Sequence, residues 1–499
     1  MVNLELEFES KKCPCLRRNL RDVQQQEQTL ELRLPEGMPD IGSVLGAWGQ
    51  CILRGKEWRS DEIGVSGGVM VWVLYLPAEG GEPQSVEAWL SLQPKWSLSG
   101  TRREGTIRTC WRLNSADARM LSARKMMVRV NVGVMAEVME PREAELFTPG
   151  QVPEDVQLLR REYPVRIPKE AGEKTFQLEQ SFAMPQGSPP PEQILYCRFI
   201  PQLTDTKLVG GRMVFKGVGQ CHLLYRAESG GLHTVDFELP FSQLEDLAQT
   251  PDQDAQPDIL LALTNLEPEL QEGQLNLKVG LAAQYVVYDR ILLDLIEDAY
   301  STMRELTVNS EPLELEAVLE SSIQQLQPEV HISGQRLLDA AVYTGQPKLR
   351  HSGDQLRLEL SGRMQALVSD EEGRLETVNV PWQDQWELPA DGKIDAYAQV
   401  LGQSAPQTSV TPGQFRVSSA LEVQTCSIVT MDNSMVTGLT LGQSNTPDPG
   451  RPSLVLKRLE NATLWDLAKA SGSTVAAICR ANKITQEPVD NRLLLIPIE

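Results

Sequence analysis

The strongest constraint on this chain is an internal repeat, in which a glycine opens a segment of alternating apolar residues at three places. Gly67 begins Gly-Gly-Val-Met-Val-Trp-Val-Leu-Tyr and Gly217 begins Gly-Val-Gly-Gln-Cys-His-Leu-Leu-Tyr, so a tyrosine stands eight residues after each glycine. Gly362 begins a third segment, with Asp370 in the region of the tyrosine. The glycines are 150 and 145 residues apart. Alternation with a period of two indicates half-buried strands, so we expect one β-rich unit to occur three times.

Two further features recur in the same order after each glycine. The first is a short apolar strand with an aromatic residue, at 86–89, 235–241 and 378–382. The second is a long alternating strand that begins 61, 58 and 53 residues after its glycine, at Val128, Leu275 and Phe415. Short strands at regular spacing with turn residues between them are typical of antiparallel sandwiches. The predicted fold class is mainly β, with three tandem antiparallel, sandwich-like units.

One segment departs from the strand pattern. Residues 290–301 carry an apolar stripe at helical spacing, formed by Ile291, Leu292, Leu295, Ile296 and Ala299. Such a stripe predicts an amphipathic helix. We expect this helix to end the second unit and to pack against the third.

Turn-rich and proline-rich stretches mark the boundaries between segments. The clearest is the linker at 443–452, where three prolines and a glycine fall within ten residues. The predicted division is an N-terminal tail at 1–22, β units at 23–147, 174–307 and 308–442, a connector at 148–173, the linker, and a C-terminal module at 453–499.

The C-terminal module changes to a helical pattern. Thr463 stands three residues before Asp466, which is the spacing of a capping box, and an apolar face follows, formed by Leu464, Leu467 and Ala468. Ser473 is predicted to cap a second helix that runs to about residue 481. Because apolar strands flank the two helices, the module is predicted to be βααβ, with strands at 454–456 and 493–496.

The charge balance excludes two classes of function. The 499 residues include 47 Lys and Arg and 68 Asp and Glu, a formal net charge of −21. Nucleic-acid binding and docking on anionic membranes both need clustered cations, so both are excluded. No apolar stretch approaches the ~18 residues of a transmembrane helix, and the first ten residues lack the pattern of a secretory signal. We therefore expect a cytoplasmic protein.

The eight cysteines are sparse, and a reducing compartment should keep most of them as free thiols. Only Cys13 and Cys15 lie close together, beside Lys and Arg residues. Two thiolates are half of a zinc site, so we interpret this segment as a mobile tail with exposed thiols. A redox or metal site, and cross-linking into an assembled layer, are the alternatives.

Signals for catalysis are weak. The segment 64–68 fits G-x-S-x-G, but a strand follows it where a nucleophile elbow needs a helix. The four histidines form no zinc-protease motif, and His222 is expected to face solvent from its strand. There is no phosphate-binding Walker sequence. The prediction is a non-enzymatic protein without catalytic residues, metal or cofactor.

Two resemblances cover most of residues 23–499. The first unit resembles the SPOCS-domain family of endospore-forming bacteria through 34–41, 67–75 and 113–130, and the second shares the segments 217–225, 239–241 and 298–301. The C-terminal module resembles a LysM domain through 463–468, 473–475, Asn482 and 493–497. It departs from the usual pattern at 461–462, where Asn-Ala replaces Gly-Asp, and at 489–491.

Tandem SPOCS units with a C-terminal LysM domain resemble the SipL type of spore morphogenesis protein. The resemblance implies an adaptor in assembly of the spore coat, recruited from the mother-cell cytoplasm to the forespore surface. Its implied partner is a SpoIVA-like coat morphogenetic ATPase, and the alternative ligand is peptidoglycan, gripped through N-acetylglucosamine. The predicted binding surface lies around the two helices of the module, at Asn461, Thr463, Trp465, Asn482 and Ile484. A half-exposed tryptophan is typical of a binding anchor, although Trp465 could also cover the core.

Overall fold

The chain is almost entirely antiparallel sheet. The computed structural model describes residues 4–59, 61–98, 104–313, 315–352, 355–389, 395–411, 414–431, 434–444, 452–458, 462–485 and 493–498. Within these residues all helical structure lies in two short segments near the C-terminus, and the remaining elements are strands. The prediction of a mainly β fold is confirmed.

The first eight strands form two facing sheets, apart from β1, which pairs with a strand much later in the chain. They are β1 (Leu4–Leu6), β2 (Phe8–Arg33), β3 (Ile41–Arg59), β4 (Glu62–Pro77), β5 (Gln84–Leu92), β6 (Lys95–Ser97), β7 (Thr106–Ser122) and β8 (Lys125–Pro149). One sheet has the order β2-β8-β7 and the other β3-β4-β5, with β6 also paired to β4. Alternate residues of both sheets point into one core, which includes Trp48, Val71 and Val132.

The prediction of exposed thiols on a mobile tail is wrong. Strand β2 pairs with β8 from Phe8 onward, so Cys13 and Cys15 lie in a sheet. Cys15 is buried against Ala144 and Val165, while Cys13 is half-buried. Burial raises the pKa of the Cys15 thiol, which keeps it neutral. The long strand β8 pairs with this segment, and residues of later strands, among them Val165 and Leu293, cover its apolar face.

The next seven strands repeat the arrangement. They are β9 (Val156–Ala183), β10 (Pro191–Val209), β11 (Arg212–Ala227), β12 (Leu232–Asp246), β13 (Gln256–Gln271), β14 (Gln274–Ser301) and β15 (Arg304–Pro312). The facing sheets have the orders β9-β14-β13 and β10-β11-β12. Phe176 of β9 contacts Phe215 and Phe241 of the opposite sheet, with ring centroids 6.1 and 5.5 Å apart.

The predicted helix at 290–301 is wrong, because these residues continue β14. They pair with residues 156–166 of β9. Leu293 and Leu295 are buried, while Leu292 between them is 60% exposed. The segment therefore also has a period of two, and pairing with a distant strand decides between the two patterns.

The last β unit uses shorter strands. They are β16 (Leu315–Leu326), β17 (Glu329–Ser333), β18 (Arg336–Thr344), β19 (Lys348–Ser352), β20 (Gln355–Ser369), β21 (Leu375–Pro389), β22 (Asp395–Gln403), β23 (Gln407–Thr411), β24 (Gln414–Ser418), β25 (Leu421–Met431) and β26 (Ser434–Ser444). One sheet contains β18, β19, β20 and β21, and the rest pair as β16-β25-β22 and β17-β24-β23. The long strand predicted from Phe415 is interrupted between β24 and β25. Strand β26 pairs with β1 and β15.

The same strand order therefore occurs three times along the chain. Sheets β2-β8-β7, β9-β14-β13 and β16-β25-β22 correspond, and so do the sheets built around β4, β11 and β20. The second and third groups share one six-stranded sheet, in which β9 and β16 are joined by the pairing of Arg166 with Val318. The domain boundaries stay predictions.

The glycines that open the repeat lie where neighbouring backbone leaves no room for a side chain. At Gly217 an added Cβ would lie 2.2 Å from the carbonyl oxygen of Gln202 and 2.3 Å from the ring of Phe241. Similar contacts with a carbonyl of the neighbouring strand, at 2.1 and 2.6 Å, occur at Gly362 and Gly67. The repeat therefore preserves a position where strands and aromatic rings approach closely.

Gly217→Ala should lower the free energy of unfolding by about 1–3 kcal/mol, because the added methyl group overpacks a filled core. The control is Gly64→Ala in β4, where an added Cβ meets nothing within 4 Å. We expect this control to change stability by less than about 0.5 kcal/mol. Urea unfolding of the two variants checks the difference, and equal stabilities would contradict the close approach.

The three groups of sheets meet at a buried cluster of charges. The side chains of Arg108 and Glu137 are fully buried and 2.9 Å apart. Glu137 also pairs with Arg18 at 2.8 Å and Arg21 at 2.7 Å. Burial acts to raise the pKa of Glu137, but the three guanidinium groups outweigh it and lower that pKa. Asp258 of β13, 3.2 Å from Arg108, joins the second group of sheets to the first.

Gln399 of β22 connects the third group to the same cluster. Its amide nitrogen donates hydrogen bonds to both carboxylate oxygens of Asp258, at 2.9 and 3.0 Å. Its amide oxygen accepts a hydrogen bond from Arg21 at 3.2 Å. The guanidinium of Arg21 also lies 3.9 Å from the ring centre of Tyr397. Each group of sheets therefore supplies partners to one shared polar network.

The expectation that His222 faces solvent is wrong. Its side chain is 13% exposed and lies between Asp236 of β12 and Asp339 of β18, each 2.7 Å from one ring nitrogen. Tyr196 donates a hydrogen bond to Asp339, and Arg198 lies nearby. Burial acts to lower the pKa of His222, but the Asp339 charge and the two carboxylate contacts raise it to about 9. His222 is mostly shielded from solvent because β18, a strand of the third group of sheets, covers the face of β11 from which this side chain projects.

The pairing of His222 predicts a loss of stability in mild alkali. Its folded-state pKa of about 9 lies above the ordinary ~6.5 of an unfolded chain, so the stabilisation is complete below about pH 6.5 and is lost as pH rises through 9. His222→Gln should remove about 2–3 kcal/mol of the fall in unfolding free energy between pH 6 and about pH 9. His233→Gln, in β12 against Tyr225, is the control. Urea midpoints across this range test it, and parallel pH profiles for wild type and His222→Gln would contradict it.

Candidate functional site

The C-terminal module consists of two strands and two helices. Strand β27 (Leu454–Arg458) pairs with β28 (Leu493–Pro497), and α1 (Leu464–Ser471) and α2 (Val475–Asn482) lie between them in the chain. Apolar residues of α1, α2 and β28 meet in one small core formed by Leu464, Leu467, Ala468, Ile478, Leu494 and Ile496. Within the predicted linker at 443–452, residues 445–451 lie outside the described residues.

Capping interactions position the two helices. The Thr463 hydroxyl accepts a hydrogen bond from the Asp466 amide at 3.1 Å, and the Asp466 carboxylate accepts one from the Thr463 amide at 3.0 Å. This confirms the predicted capping box. The predicted cap at Ser473 is wrong, since Thr474 caps α2. The Ser473 amide instead donates to the carbonyl of Ala468 and closes the end of α1.

The module is docked on the end of strand β14. The indole of Trp465 donates a hydrogen bond to Asp298 at 2.8 Å, and the Lys469 ammonium lies 2.7 Å from both oxygens of that carboxylate. Tyr300 packs edge-on against Trp465, with ring centres 4.8 Å apart. The Tyr300 hydroxyl donates to the Ser473 carbonyl at 2.8 Å. Tyr300 belongs to the core of the module, so β14 completes that core.

The carboxylate of Asp298 anchors this contact. Burial acts to raise its pKa, but the hydrogen bonds from Lys469 and Trp465 outweigh burial and lower it. Asp298 therefore stays ionised where it meets the two donors of α1. Residues 298–301 are the same segment that the resemblance to the SPOCS family singled out in the second unit, although the sequence did not indicate a contact with the module.

Asp298→Asn should loosen the module from β14, because it removes the charge that holds Lys469. We expect faster hydrogen–deuterium exchange in residues 464–471 with little change elsewhere, since a charged hydrogen bond of this kind contributes ~1.5–3 kcal/mol. Asp294→Asn is the matched control, because Asp294 of the same strand pairs with Arg160 at the surface. Equal exchange in α1 for the two variants would contradict the docked arrangement.

The residues predicted as a binding surface mostly make contacts inside the protein. Thr463 caps α1, and Trp465 is half-buried against Tyr300. The Asn482 amide donates to the carbonyls of Ile478 and Leu495 and accepts from the Leu495 amide.

Ile484 packs against the same small core as Trp465, which brings the two predicted contact residues to one cluster. Asn461 lies outside the described residues. The predicted surface therefore coincides with groups that hold the module together and attach it to β14.

An exposed apolar face on the opposite side was not predicted as a site. Leu454 and Leu456 of β27 and Leu493 of β28 are 51%, 58% and 55% exposed. Leu456 pairs with Leu495, and Arg458 pairs with Leu493, so these side chains share the outer face of the two-stranded sheet. We call Leu454, Leu456 and Leu493 the leucine face. The signal for it was present in the alternation of 454–456, whose inner residue Val455 faces the helices.

The described residues also bear on metal binding and on membrane insertion. Among them, no three or more His, Cys, Asp or Glu side chains come together as a group that could hold a metal ion. None of the helices in the described part of the chain has the length and apolar character needed to cross a membrane.

The fold and these contacts define a mainly β protein in which a small helical module is held against a body of paired sheets. Residues 190–267, which run from β10 into β13, match the family model described as SipL, SPOCS domain. The match thus covers the sheet β10-β11-β12, including Gly217, and most of β13, but neither β9 nor β14. Among curated proteins and among solved structures, no match was found.

Proposed function

We propose that this chain is a non-enzymatic adaptor in assembly of the bacterial endospore coat. The observation that carries the proposal is the match of residues 190–267 to the SipL SPOCS domain, a family that suggests a role in sporulation. In this proposal the protein is made in the mother-cell cytoplasm and recruited to the forespore surface. Its β units form a body, and the C-terminal module, which resembles LysM, contacts a SpoIVA-like coat morphogenetic ATPase.

The leucine face is the surface of the module that we assign to this partner. Trp465 serves the contact with β14, whereas the leucine face points away from the module core. Exposed aliphatic clusters on soluble proteins mark interaction sites. Because Arg458, which pairs with Leu493, lies on the same face of the sheet, the face suits an aliphatic patch with an acidic rim.

The distribution of charge supports the same assignment. Residues 453–499 contain six Lys and Arg and five Asp and Glu, a formal charge of +1, whereas residues 1–452 carry −22. The body therefore repels an acidic partner, and the module does not. An acidic partner should approach the chain at its C-terminal end.

Leu456→Glu and Leu493→Glu should each weaken binding of the purified ATPase by at least about thirtyfold, because a carboxylate would be buried against an apolar surface (~2 kcal/mol or more). Both residues are exposed, so the module should stay folded. Leu244→Glu in β12, where the leucine is 44% exposed on the body, is the matched control and should bind normally. Calorimetric titration measures the affinities.

A sedimentation assay with purified peptidoglycan separates the adaptor from the glycan-binding alternative. The wild-type protein should stay in the supernatant while it binds the ATPase. Co-sedimentation with peptidoglycan, with no affinity for the ATPase, would falsify the adaptor proposal. Normal ATPase binding by Leu456→Glu and Leu493→Glu would reject the leucine face as the contact surface.

A further inference from the structure

A cavity of about 760 Å³ lies between the second and third groups of sheets. Its wall includes residues of the six-stranded sheet and of β10. This volume falls within the range of ~300–1,000 Å³ that is typical of ligand sites at domain interfaces. Ile323, on the wall, is 57% exposed, so solvent reaches the cavity.

Comparison with the corresponding interface between the first and second groups shows why this space is open. There, Lys56 of β3 reaches across to Glu173 of β9 and donates a hydrogen bond to Gln284 of β14 at 2.6 Å. Lys56 also donates to the carbonyl of Ile107 at 2.8 Å. A long cation and its carboxylate partner therefore fill the first interface.

The three equivalent positions at the second interface all line the cavity. Thr206 takes the position of Lys56, because each pairs with the residue two before its repeat glycine. Ile323 takes the position of Glu173, and Gln424 that of Gln284. In the corresponding strands, Ile323 pairs with Gln424 and Glu173 pairs with Gln284. Thr206, Ile323 and Gln424 are short or uncharged and leave the space unfilled.

The charges on the cavity wall indicate the kind of ligand. Asp258 is paired with Arg108 and Gln399, and Glu422 accepts a hydrogen bond from Gln325 at 2.8 Å. Arg166 is the cation on the wall. Within the described part of the chain its guanidinium has neither an ion-pair nor a hydrogen-bond partner. Its half-buried guanidinium is thus available to a carboxylate.

The rest of the wall suits an aliphatic chain with amide groups. Leu203, Leu401 and Ile323 supply apolar surface. Gln202 and Gln403 use their amide nitrogens on backbone carbonyls, at 2.6 and 2.8 Å, and carry carboxamide oxygens that can accept hydrogen bonds from peptide N–H groups. A peptide has the apolar side chains, the donors and, if acidic, the carboxylate that this wall can satisfy together.

We propose that this cavity binds an acidic, aliphatic segment of a protein partner, with one carboxylate on the Arg166 guanidinium and aliphatic side chains on Leu203, Ile323 and Leu401. The site lies on the body and not on the C-terminal module. The body as a whole is acidic, but Asp258 and Glu422 on the cavity wall already have partners, so the local charge that a ligand carboxylate meets is the Arg166 guanidinium. It is independent of the proposed contact through the leucine face, and its failure would leave that contact intact.

Titration of the full-length protein with acetyl-Leu-Glu-Leu-Glu-amide tests the site. Wild type should bind this peptide saturably, and Arg166→Gln should weaken binding by at least about tenfold. Arg290→Gln is the matched control, because Arg290 lies directly opposite Arg166 in the pairing of β14 with β9 and is exposed. This control should bind as wild type does.

The double variant Thr206→Lys with Ile323→Glu transfers the ion pair of the first interface into the cavity. It should abolish peptide binding while the protein keeps its Tm, since the new side chains occupy existing space. A peptide with glutamine in place of glutamate, and glutarate as a free carboxylate, should both bind at least about tenfold more weakly. Equal affinity for either, unchanged affinity in Arg166→Gln or in the folded double variant, or no binding of the acidic peptide at about 1 mM, would overturn the proposal.

Discussion

The arrangement of the whole body depends on one fully buried carboxylate, that of Glu137. It sits in the sheet of the first group and accepts ion pairs from Arg18, Arg21 and Arg108. Taking such charges out of water is costly, and removing one partner of a buried pair typically costs about 3–5 kcal/mol because a charge is left uncompensated. The excess positive charge around Glu137 needs further acceptors, and Asp258 of the second group supplies one. The groups of sheets are therefore bound to a fixed mutual orientation.

The three groups can meet in this orientation because one position of the repeat is a carboxylate in the first group and a carboxamide in the other two. Glu137, Gln284 and Gln424 each follow a buried small or branched apolar residue on the corresponding long strand. A carboxylate at all three positions would bring like charges towards one junction, whereas one carboxylate and two amides allow a connected network. Gln284 donates to the carbonyl of Thr109, and Gln399 joins Gln424 to Asp258. A second divergence, with Thr206 and Ile323 in place of Lys56 and Glu173, leaves the second interface open while the first is filled.

The local sequence pattern predicted most strands. Contacts with residues far along the chain determined the structure of residues 290–301 and the surroundings of His222 and Trp465. Alternation predicted the strands that contain Gly67, Gly217 and Gly362, and the capping box at Thr463 followed from spacing alone. The helix at 290–301 failed because its stripe also fits a strand, and only pairing with β9 selects the latter. His222 was misplaced because Asp339 lies 117 residues further along the chain. For the candidate site, the module elements were predictable, but the partner of Trp465 is 167 residues away.

The docked module determines how the proposed adaptor would work. A module on a free linker would gain affinity mainly through effective concentration, and its tryptophan would be open to any partner. Here Asp298 and Tyr300 hold the tryptophan side of the module on the body, so the two-stranded sheet projects outward in one orientation. Fixing the orientation in advance lowers the entropy lost on binding. The acidic body and the near-neutral module then act together, because the net charge of the body opposes the approach of an acidic partner more strongly than the charge of the module does.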